Sequence, residues 1–395
     1  MYLTYDGVLE PLGESQVLGY VLSLADRFDM RLLSFEKSLF WFNVTERLKL
    51  REKLELCKVR WYPCRYHKSP SAIATSWDII QGVFVGLFII FRDGSQVVHA
   101  RSYVSALIGL VLKRLTGVRL VFDMRGFWAD ERVDGGLWQR SSQIYRITKW
   151  FERLFLRQSD HIVSLTYAGV LELEVLKGPN GKLPPTTVIP TCADLNRFVP
   201  FVHLKDQKLI GYVGTVGTWY LFEPTALCFA ELARRDASFR FLIINKGEHD
   251  FIRNCLEQAH VPMDRVELRA ASFDEMPALV ATMSASIFFI KPLFSKKASA
   301  PTKLAELLGC GVPCLTNTGV GDMAEQLAEL NCGVTVSSFD PSALNAGLDA
   351  LLQLMAEPDI LQRCRETALR HFSLEEGVKR YAAVYASLGL QPKRT

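Results

Sequence analysis

The sequence lacks any dominant residue type and several well-known catalytic motifs. Of its 395 residues, 22% are charged and 49% are apolar, and the formal net charge is +4. These proportions exclude a disordered chain, a collagen-like chain and a coiled coil. No D-x-D, G-x-x-x-x-G-K-[ST] or G-x-S-x-G motif occurs, which excludes a metal-dependent single-domain sugar transferase, a P-loop enzyme and an elbow-type hydrolase. The length allows two domains.

A regular cysteine framework and a signal-peptide pattern are also lacking. The nine cysteines lie in apolar surroundings, as at Cys228 and Cys310, which is typical of buried thiols in a reducing cytosol. Cys310 and Cys314 have no second Cys or His pair at zinc spacing, so we expect no metal site. Residues 1–6 indicate a strand that runs into a loop. We therefore expect a cytoplasmic protein.

No run of about 18 uncharged apolar residues, enough to span a bilayer, occurs. The longest apolar run, Val83–Phe91, predicts a buried helix. The aromatic and basic stretch Lys149–Arg157 fits an ordinary packed helix and a helix lying on the anionic inner-membrane surface equally well. Residues 1–190 contain 25 Lys and Arg against 19 Asp and Glu. This excess is too small to indicate nucleic acid as a partner, but it suits an anionic small molecule or membrane surface.

Short apolar runs rich in branched residues alternate with stretches of helical period. The strand-like runs are Leu32–Phe35, Val97–His99, Leu120–Asp123, His161–Leu165, Thr187–Ile189, Lys208–Gly214, Phe239–Asn245, Val266–Leu268, Ala285–Ile290, Pro313–Thr316 and Val334–Val336. Because strands alternate with helices, the sequence predicts an α/β protein with parallel sheets covered on both faces. The pattern restarts near residue 208, so two doubly wound halves are the simplest interpretation.

The domain boundaries follow from this pattern. Residues 1–190 are predicted to form an N-terminal domain, and residues 208–372 a C-terminal domain. The segment 191–207 contains Pro200 and a polar turn, which is typical of an interdomain linker. Ser373–Glu376 is a capping box, and we expect residues 373–395 to form a helix that packs back on the N-terminal domain.

The segment Phe294–Glu306 has the strongest signal for a binding site. Pro301 suits the first turn of a helix that Ser299 or Ala300 would cap. Such a helix start, at the carboxyl end of a strand, offers free N–H groups and positive charge to a diphosphate. The lysines around it are Lys296, Lys297 and Lys303. The carboxylate of Glu306, about one turn further along the helix, can accept two hydrogen bonds from a ribose diol. The alternative is a solvated lysine cluster at a helix start.

Two glycine turns carry weaker signals. Gly211 and Gly214 form a G-x-x-G turn after a strand, with Thr215 following, and glycine lets a ligand approach the backbone closely. A tight turn without a ligand explains this motif equally well. Gly13 lies between the first strand and the first helix, where it can meet a ligand, although alone it favours a plain βα loop.

Asp123–Arg132 is the sharpest polar cluster of the N-terminal half. Asp123 and Arg125 follow one strand, and His99 and Arg101 end the strand before it. Neighbouring parallel strands would place these four side chains at one edge of the sheet, where they suit a charged acceptor or the orientation of a hydroxyl. The alternatives are a structural ion pair and, for His99, a satisfied core residue.

Together these segments resemble glycosyltransferase family 4, in the branch associated with bacterial surface polysaccharide assembly. The motifs that carry the resemblance are Leu3–Gly7, Pro11–Gln16, His99–Tyr103, Asp123–Arg132, Ser164–Thr166, Val188–Pro190, Asp194, Phe198, Tyr212–Gly214, Ser299–Glu306, Gly309–Pro313 and Gly319–Asp322. They extend over nearly the whole chain.

The resemblance implies a GT-B fold, in which two Rossmann-like domains face each other, the N-terminal one binding the acceptor and the C-terminal one the donor. It implies a retaining, metal-independent transfer, without a cofactor, from a nucleotide-diphosphate sugar to a glycan or lipid-linked glycan. Glu306 matches the second carboxylate of the family's E-x7-E pattern, whereas Ala298 stands at the first. Trp219 and Tyr220 stand where a phosphate clamp is usual, and Arg125 stands at the place of a common His.

The implied roles fall into three sets. The catalytic candidates are Lys303, Lys296, Arg125 and Asp123; the donor-binding candidates are Gly214, Thr215, Ser299, Thr302, Lys303 and Glu306; the acceptor-binding candidates are Gly13, His99, Arg101, Asp130 and Glu131. We expect Lys303, Lys296 and helix-start amides to stabilise the leaving diphosphate. Asp123 or Arg125 would orient the acceptor.

Two other functions stay open. An enzyme of the same fold that does not transfer, such as a nucleotide-sugar 2-epimerase, would form product from the donor alone. A two-domain ligand-binding protein without catalysis is usually exported, and the free cysteines and the missing signal peptide argue against it.

Overall fold

The computed structural model describes residues 1–10, 13–177, 181–201 and 206–393. Its chain divides into two compact units, Met1–Pro190 with Gly377–Thr395, and Thr191–Glu376. Pro11 and Leu12 of the family-like motif, residues 202–205 of the predicted linker, and residues 394–395 lie outside the described residues.

The first unit contains a seven-stranded sheet in which neighbouring strands are parallel. Its strands are β1 (Tyr2–Thr4), β2 (Arg31–Glu36), β3 (Arg60–Arg65), β4 (Val97–Arg101), β5 (Arg119–Asp123), β6 (His161–Ser164) and β7 (Thr186–Val188). The order is β3-β2-β1-β4-β5-β6-β7. The strand order reverses between β1 and β4, and at such a point an open sheet of this kind binds ligands beyond its carboxyl ends.

Helices connect these strands. After a π-helical turn, Glu14–Leu18, they are α1 (Gly19–Ala25), α2 (Ser38–Trp41), α3 (Val44–Leu56), α4 (Ser71–Asp93), α5 (Ser102–Thr116), α6 (Trp128–Asp134), α7 (Gln143–Gln158) and α8 (Tyr167–Leu176). Five strands of this sheet match predicted runs within about two residues. The edge strand β3 was missed because Pro63 and arginines at both ends obscure its apolar pattern.

The second unit contains a six-stranded parallel sheet, ordered β11-β10-β8-β12-β14-β15, and a two-stranded ribbon, β13-β9. The strands are β8 (Leu209–Val213), β9 (Tyr220–Leu221), β10 (Arg240–Ile244), β11 (Val266–Arg269), β12 (Ala285–Ile287), β13 (Phe289–Ile290), β14 (Cys314–Asn317) and β15 (Gly333–Val336). The predicted strand Ala285–Ile290 is therefore two strands, because its last residues pair antiparallel with β9 instead of continuing in the sheet.

Helices also cover this second sheet. They are α9 (Phe222–Arg235), α10 (His249–Gln258), α11 (Met276–Ala281), α12 (Thr302–Gly309), α13 (Met323–Glu329), α14 (Pro341–Met355) and α15 (Ile360–His371). The last helix, α16 (Leu374–Ser387), begins in the second unit and continues in the first. The Ser373 hydroxyl accepts a hydrogen bond from the Glu376 amide at 3.5 Å, as half of the predicted capping box requires.

The described part of the predicted linker does not stand apart from the domains. The Ala193 amide donates to the Phe372 carbonyl at 2.9 Å, and Leu195 and Phe198 are buried in the core of the second unit. The Arg365 guanidinium donates to the carbonyls of both residues. These contacts make residues 191–198 part of the second unit, because their apolar side chains find a core there.

Helix α4 differs from the buried helix predicted at Val83–Phe91. Ile89 and Ile90 are buried, but Phe84, Phe88 and Phe91 are exposed, because a helix on the outside of a sheet buries one face. In the part of the chain that the structure describes, residues 73–93 form one helix long and apolar enough to cross a membrane, with a mean hydropathy of 1.8 and 33% of its most apolar 18-residue window buried.

Candidate functional site

In the second unit, strand β8 ends beside the start of helix α12. Gly214 follows the strand with φ of +116°, a conformation that favours glycine. A Cβ atom at this position would lie 2.8 Å from the Lys303 Nζ atom. The backbone conformation therefore favours glycine at this position, and the end of the lysine side chain lies close to it.

The Lys303 ammonium is buried among aromatic rings. Its Nζ atom lies 3.6 Å from the centre of the Tyr220 ring, 4.8 Å from that of Tyr212 and 5.2 Å from that of Phe288. Among the described residues it has no hydrogen-bond partner. Burial lowers the pKa of Lys303 to about 7, and nearby Glu306 partly opposes this shift. Ring faces attract a cation, but they do not replace the hydrogen bonds that a buried ammonium needs.

Glu306 lies one helical turn after Lys303 and is half-buried. Burial raises its pKa to about 7, although Lys303 and Arg197 favour the charged form. The carboxylate therefore changes charge near neutral pH in the free protein. Its charged form can accept two hydrogen bonds from a diol.

Lys296 lies in a 3-10 turn, Phe294–Ala298, before helix α12. Its side chain is buried, and the Nζ atom lies 3.9 Å from the centre of the Trp219 ring. Ala298 is 2% exposed, so the place of the family's first carboxylate is occupied by a small core side chain. Trp219 is a contact that the sequence had marked only as a departure from the family pattern.

The predicted cap of helix α12 is wrong. The helix begins at Thr302, Pro301 is the N-cap residue, and no side chain caps the helix start. Ser299 donates its amide to the Lys296 carbonyl at 3.1 Å, which keeps it in the preceding turn. The first amides of the helix have no partner within the helix. Thr215, another residue predicted to bind the sugar donor, is exposed. Its carbonyl accepts a hydrogen bond from the Tyr212 hydroxyl.

In the first unit, strands β4 and β5 place Arg101 opposite Asp123 at the carboxyl edge of the sheet. Asp123 is fully buried and accepts a hydrogen bond from the Tyr381 hydroxyl at 3.0 Å. Burial alone would raise the pKa of Asp123, but Arg125, with His99 and Arg101, lowers it to about 2. Asp123 is therefore a carboxylate at every physiological pH.

Arg125 lies beside this carboxylate in an unusual backbone conformation. Its φ is +59°, in the left-handed region that a non-glycine residue adopts at a cost of about 1–3 kcal/mol. The turn holds the guanidinium Nη1 atom 3.9 Å from Asp123 Oδ1, with the side chain 12% exposed. Arg101 Nη1 lies 3.9 Å from Asp123 Oδ2, and Arg101 Nε lies 3.8 Å from the exposed Asp6 carboxylate.

His99 lies on the buried side of this cluster, away from solvent. Its Nδ1 atom lies 2.6 Å from the Tyr385 hydroxyl and its Nε2 atom 3.4 Å from Asp123 Oδ2. Burial lowers the pKa of His99, and the residue is 1% exposed. The structure thus favours the core alternative for His99, which holds Asp123 in place and is not accessible to an acceptor.

Within residues 1–10, 13–177, 181–201 and 206–393, no group of three His, Cys, Asp or Glu side chains is arranged to hold a metal ion. Residues 14–191 match a family model described as a glycosyl transferase 4-like domain. This part of the chain is therefore similar to glycosyl transferase 4-like domains. No match is found among curated protein sequences.

Several solved structures share the fold of nearly the whole chain. Sucrose-phosphate synthase from Thermosynechococcus elongatus has a TM-score of 0.71 at 14% identity, covering 98% of each chain. A glycosyltransferase from Rickettsia africae has 0.70 at 12% identity, covering 98% of this chain and 97% of its own. Anabaena Alr3699/HepE, solved with UDP and glucose, has 0.68 at 12% identity, covering 98% of each. The protein has the GT-B fold.

Contacts within the first unit account for two of the residues predicted to bind the acceptor, Asp130 and Gly13. Asp130 is 2% exposed and accepts hydrogen bonds from the Tyr145 hydroxyl at 2.8 Å and the Lys149 ammonium at 2.9 Å. A Cβ atom on Gly13 would lie 2.0 Å from the Gly7 carbonyl oxygen, so backbone packing accounts for this glycine. Glu131, in α6, is half-buried.

Sequence reasoning missed the tyrosines of helix α16. Tyr381 and Tyr385 project from one face of the helix and contact Asp123 and His99. Their i, i+4 spacing had indicated a packed face, but the sequence contained no signal for the partner, which lies 286 residues away for Tyr385. Similarly, no pattern had indicated that Tyr212, Tyr220 and Phe288 would surround one lysine.

Proposed function

We propose that the protein transfers a sugar from a nucleotide-diphosphate sugar to a hydroxyl of a glycan or lipid-linked glycan, with retention of configuration and without a metal ion. The observation that carries this proposal is the buried Lys303 ammonium, which has no hydrogen-bond partner among the described residues and lies beside Gly214. A diphosphate oxygen would supply the missing acceptor, and a charge-assisted bond of this kind is strong.

The donor diphosphate would lie between Gly214 and the start of helix α12. The free amides of Thr302 and Lys303 and the positive end of the helix dipole favour an anion there. Lys296 would add a second cation. Anabaena Alr3699/HepE, of similar fold, has been solved with UDP-glucose, which supports a uridine nucleotide as the first donor to test.

Glu306, one turn further along the helix, would accept hydrogen bonds from the ribose hydroxyls. The diphosphate would hold Lys303 in its charged form, and that charge in turn favours the Glu306 carboxylate. The two residues would therefore bind one donor together, each through the charged form that burial disfavours in the free protein.

Transfer breaks the bond between the sugar's anomeric carbon and the diphosphate oxygen. The acceptor oxygen forms the new bond on the same face, and its proton passes to the departing diphosphate. Lys303 and the helix-start amides would stabilise the charge on that leaving group, an effect of several kcal/mol in other enzymes. In the first unit, Arg125 would orient the acceptor, and the buried Asp123 carboxylate would hold the Arg125 guanidinium in place. We further propose a role in surface polysaccharide assembly, with a lipid-linked acceptor at a membrane.

A thermal-shift panel tests donor binding. UDP and UDP-glucose should raise the melting temperature of the wild type, since a ligand that binds the folded state stabilises it. Lys303→Met should abolish the shift. Lys208→Met is the control, because Lys208 pairs with Asp236 before the amino end of β8 and should leave the shift unchanged. A full shift in Lys303→Met would refute the assignment.

A second experiment distinguishes transfer from epimerisation. The same donor is incubated first with the protein alone and then with the protein and a mixture of glycan acceptors. Glycosylated product that forms only with an acceptor supports transfer. A new nucleotide sugar formed without acceptor would instead identify an epimerase.

A further inference from the structure

The outer face of helix α4 is apolar along its whole length. Its large exposed side chains recur every three or four residues, at Ile73, Trp77, Ile80, Phe84, Phe88 and Phe91. We call these six residues the α4 stripe. It extends over about 27 Å at 1.5 Å per residue. From residue 73 onward, the other exposed residues of the helix are Ser76 and Arg92. A soluble protein rarely leaves so large a patch without a partner.

The opposite face of α4 is fixed in the first unit. Asp78 is buried and accepts hydrogen bonds from the Tyr5 hydroxyl at 2.8 Å and the His67 amide at 3.0 Å. A Cβ atom on Gly82 or Gly86 would lie 2.6 Å from side chains of helix α5, so the two helices are in close contact. The helix cannot cross a bilayer without leaving these partners. Its stripe is instead presented sideways, as in a helix that lies in a membrane interface.

A cationic pocket of about 610 Å³ adjoins the end of the stripe. Its cations are Arg31, Arg51, Lys58, Arg60 and Arg92. Arg31 and Arg60 both form ion pairs with the single carboxylate of Asp93. The other three form no ion pair with any residue that the structure describes. Asp29 and Glu55 also line the pocket, so the cations exceed the carboxylates.

Phe88 of the stripe contacts two residues that line the pocket. The Arg92 guanidinium lies 5.4 Å from the centre of the Phe88 ring, and the Phe88 ring centre lies 6.4 Å from that of Tyr62. Tyr62 and Arg92 both line the pocket. An apolar surface therefore continues directly into a pocket suited to an anion, which is the arrangement that matches an acyl chain and its phosphate headgroup.

Helix α7 extends the same surface. Helix α5 packs against both α4 and α7, so the three helices form one layer. On α7, Ile144, Ile147 and Trp150 are exposed, and Arg146, Arg153 and Arg157 are exposed beside them. Aromatic and aliphatic side chains bordered by arginines are typical of surfaces that bind anionic lipid.

We propose that the α4 stripe and the adjoining cationic pocket dock the protein on an anionic lipid bilayer, with the stripe at the acyl boundary and the pocket on lipid phosphate. Charge decides between this occupant and a second copy of the chain. A two-fold pairing would bring the same patch of each copy together, and its unpaired cations would repel. This inference rests on the proposed membrane-linked function for its purpose, but not on the transfer chemistry.

Vesicle flotation without donor or acceptor tests the proposal. The wild type should float with vesicles of phosphatidylcholine and phosphatidylglycerol, and much less with phosphatidylcholine alone. Phe84→Ser/Phe91→Ser should abolish flotation, and Arg51→Glu/Lys58→Glu should weaken binding to anionic vesicles at least about tenfold. Added salt should weaken wild-type binding in the same direction.

Matched variants on the second unit control for general loss of surface hydrophobicity and charge. Leu227→Ser/Leu369→Ser removes two side chains that are each 49% exposed, and Arg234→Glu/Arg253→Glu reverses two exposed cations. Both should float like the wild type. The UDP-induced melting shift, measured on every variant, reports whether folding and donor binding persist.

Three results would overturn the inference: no flotation of the wild type, equal loss in the control variants, or a dimer in sedimentation that Phe84→Ser/Phe91→Ser dissociates. The last result would assign the stripe to a second copy. Because flotation uses neither donor nor acceptor, failure of the proposed transfer would leave this result unchanged, and failure here would leave the donor-binding test unchanged.

Discussion

Lys303 and Glu306 lie one helical turn apart, and burial shifts their pKa values in opposite directions to about 7. Each residue by itself is thus poorly matched to its surroundings when charged. A diphosphate beside the lysine and a diol beside the glutamate would supply what both lack. Because both groups titrate near pH 7, the proposed donor binding should depend on pH.

UDP affinity should fall as the pH rises above about 7. In the free protein Lys303 loses its proton there, whereas binding of the diphosphate needs the charged ammonium, so binding takes up a proton. By linkage, the affinity should decrease by up to about tenfold per pH unit. Calorimetric titration between pH 7 and pH 9 measures this slope, and Lys303→Met should remove it. A flat profile for the wild type would contradict the assignment.

Gly214→Ala should destabilise the protein and weaken donor binding together. The new Cβ would lie 2.8 Å from Lys303 Nζ, and alanine would be strained at φ of +116°. We expect a loss of about 1–3 kcal/mol in the free energy of unfolding. Denaturant titration measures it. In Gly247→Ala, the control, the new Cβ meets no atom within 4 Å, so a similar loss there would disprove the explanation.

Tyr381→Phe should destabilise the first unit more than Tyr385→Phe. The Tyr381 hydroxyl donates to the Asp123 carboxylate, whereas Tyr385 bonds to His99, whose pKa burial lowers, so the ring is neutral. Hydrogen bonds to charged groups contribute about 1.5–3 kcal/mol, and neutral ones about 1 kcal/mol. Denaturant titrations of both variants should show this order, and the reverse order would argue against a charged Asp123.

Asp130→Asn should lower stability without changing the KM of either substrate. The carboxylate is buried and satisfies Tyr145 and Lys149, so its loss should cost about 1–3 kcal/mol. Asp250→Asn removes a carboxylate that is 99% exposed and should have little effect. If Asp130→Asn raised the KM for the acceptor and left stability unchanged, that result would instead support a role for Asp130 in acceptor binding.

The sequence by itself determined the architecture and the spacing of Lys303 and Glu306 on one helix. Strand and helix periodicities arise from residues two to four positions apart. The alternation of strands and helices could therefore be predicted without any tertiary information. For the same reason Lys303 and Glu306, one turn apart on one helix, were recognised as a pair. The strand ends that carry Arg101 and Asp123 followed from the parallel order.

Tertiary structure alone decided which of the polar residues are accessible and what surrounds them. His99 and Asp130 resembled site residues in sequence, but contacts with Tyr385, Tyr145 and Lys149 make them part of the core. The rings around Lys303 come from strand β8, from strand β9 and from the residue between β12 and β13. The exposure of the α4 stripe depends on what the helix packs against. The burial of a side chain depends on contacts with residues far away in the chain, so it cannot be predicted from a local sequence pattern.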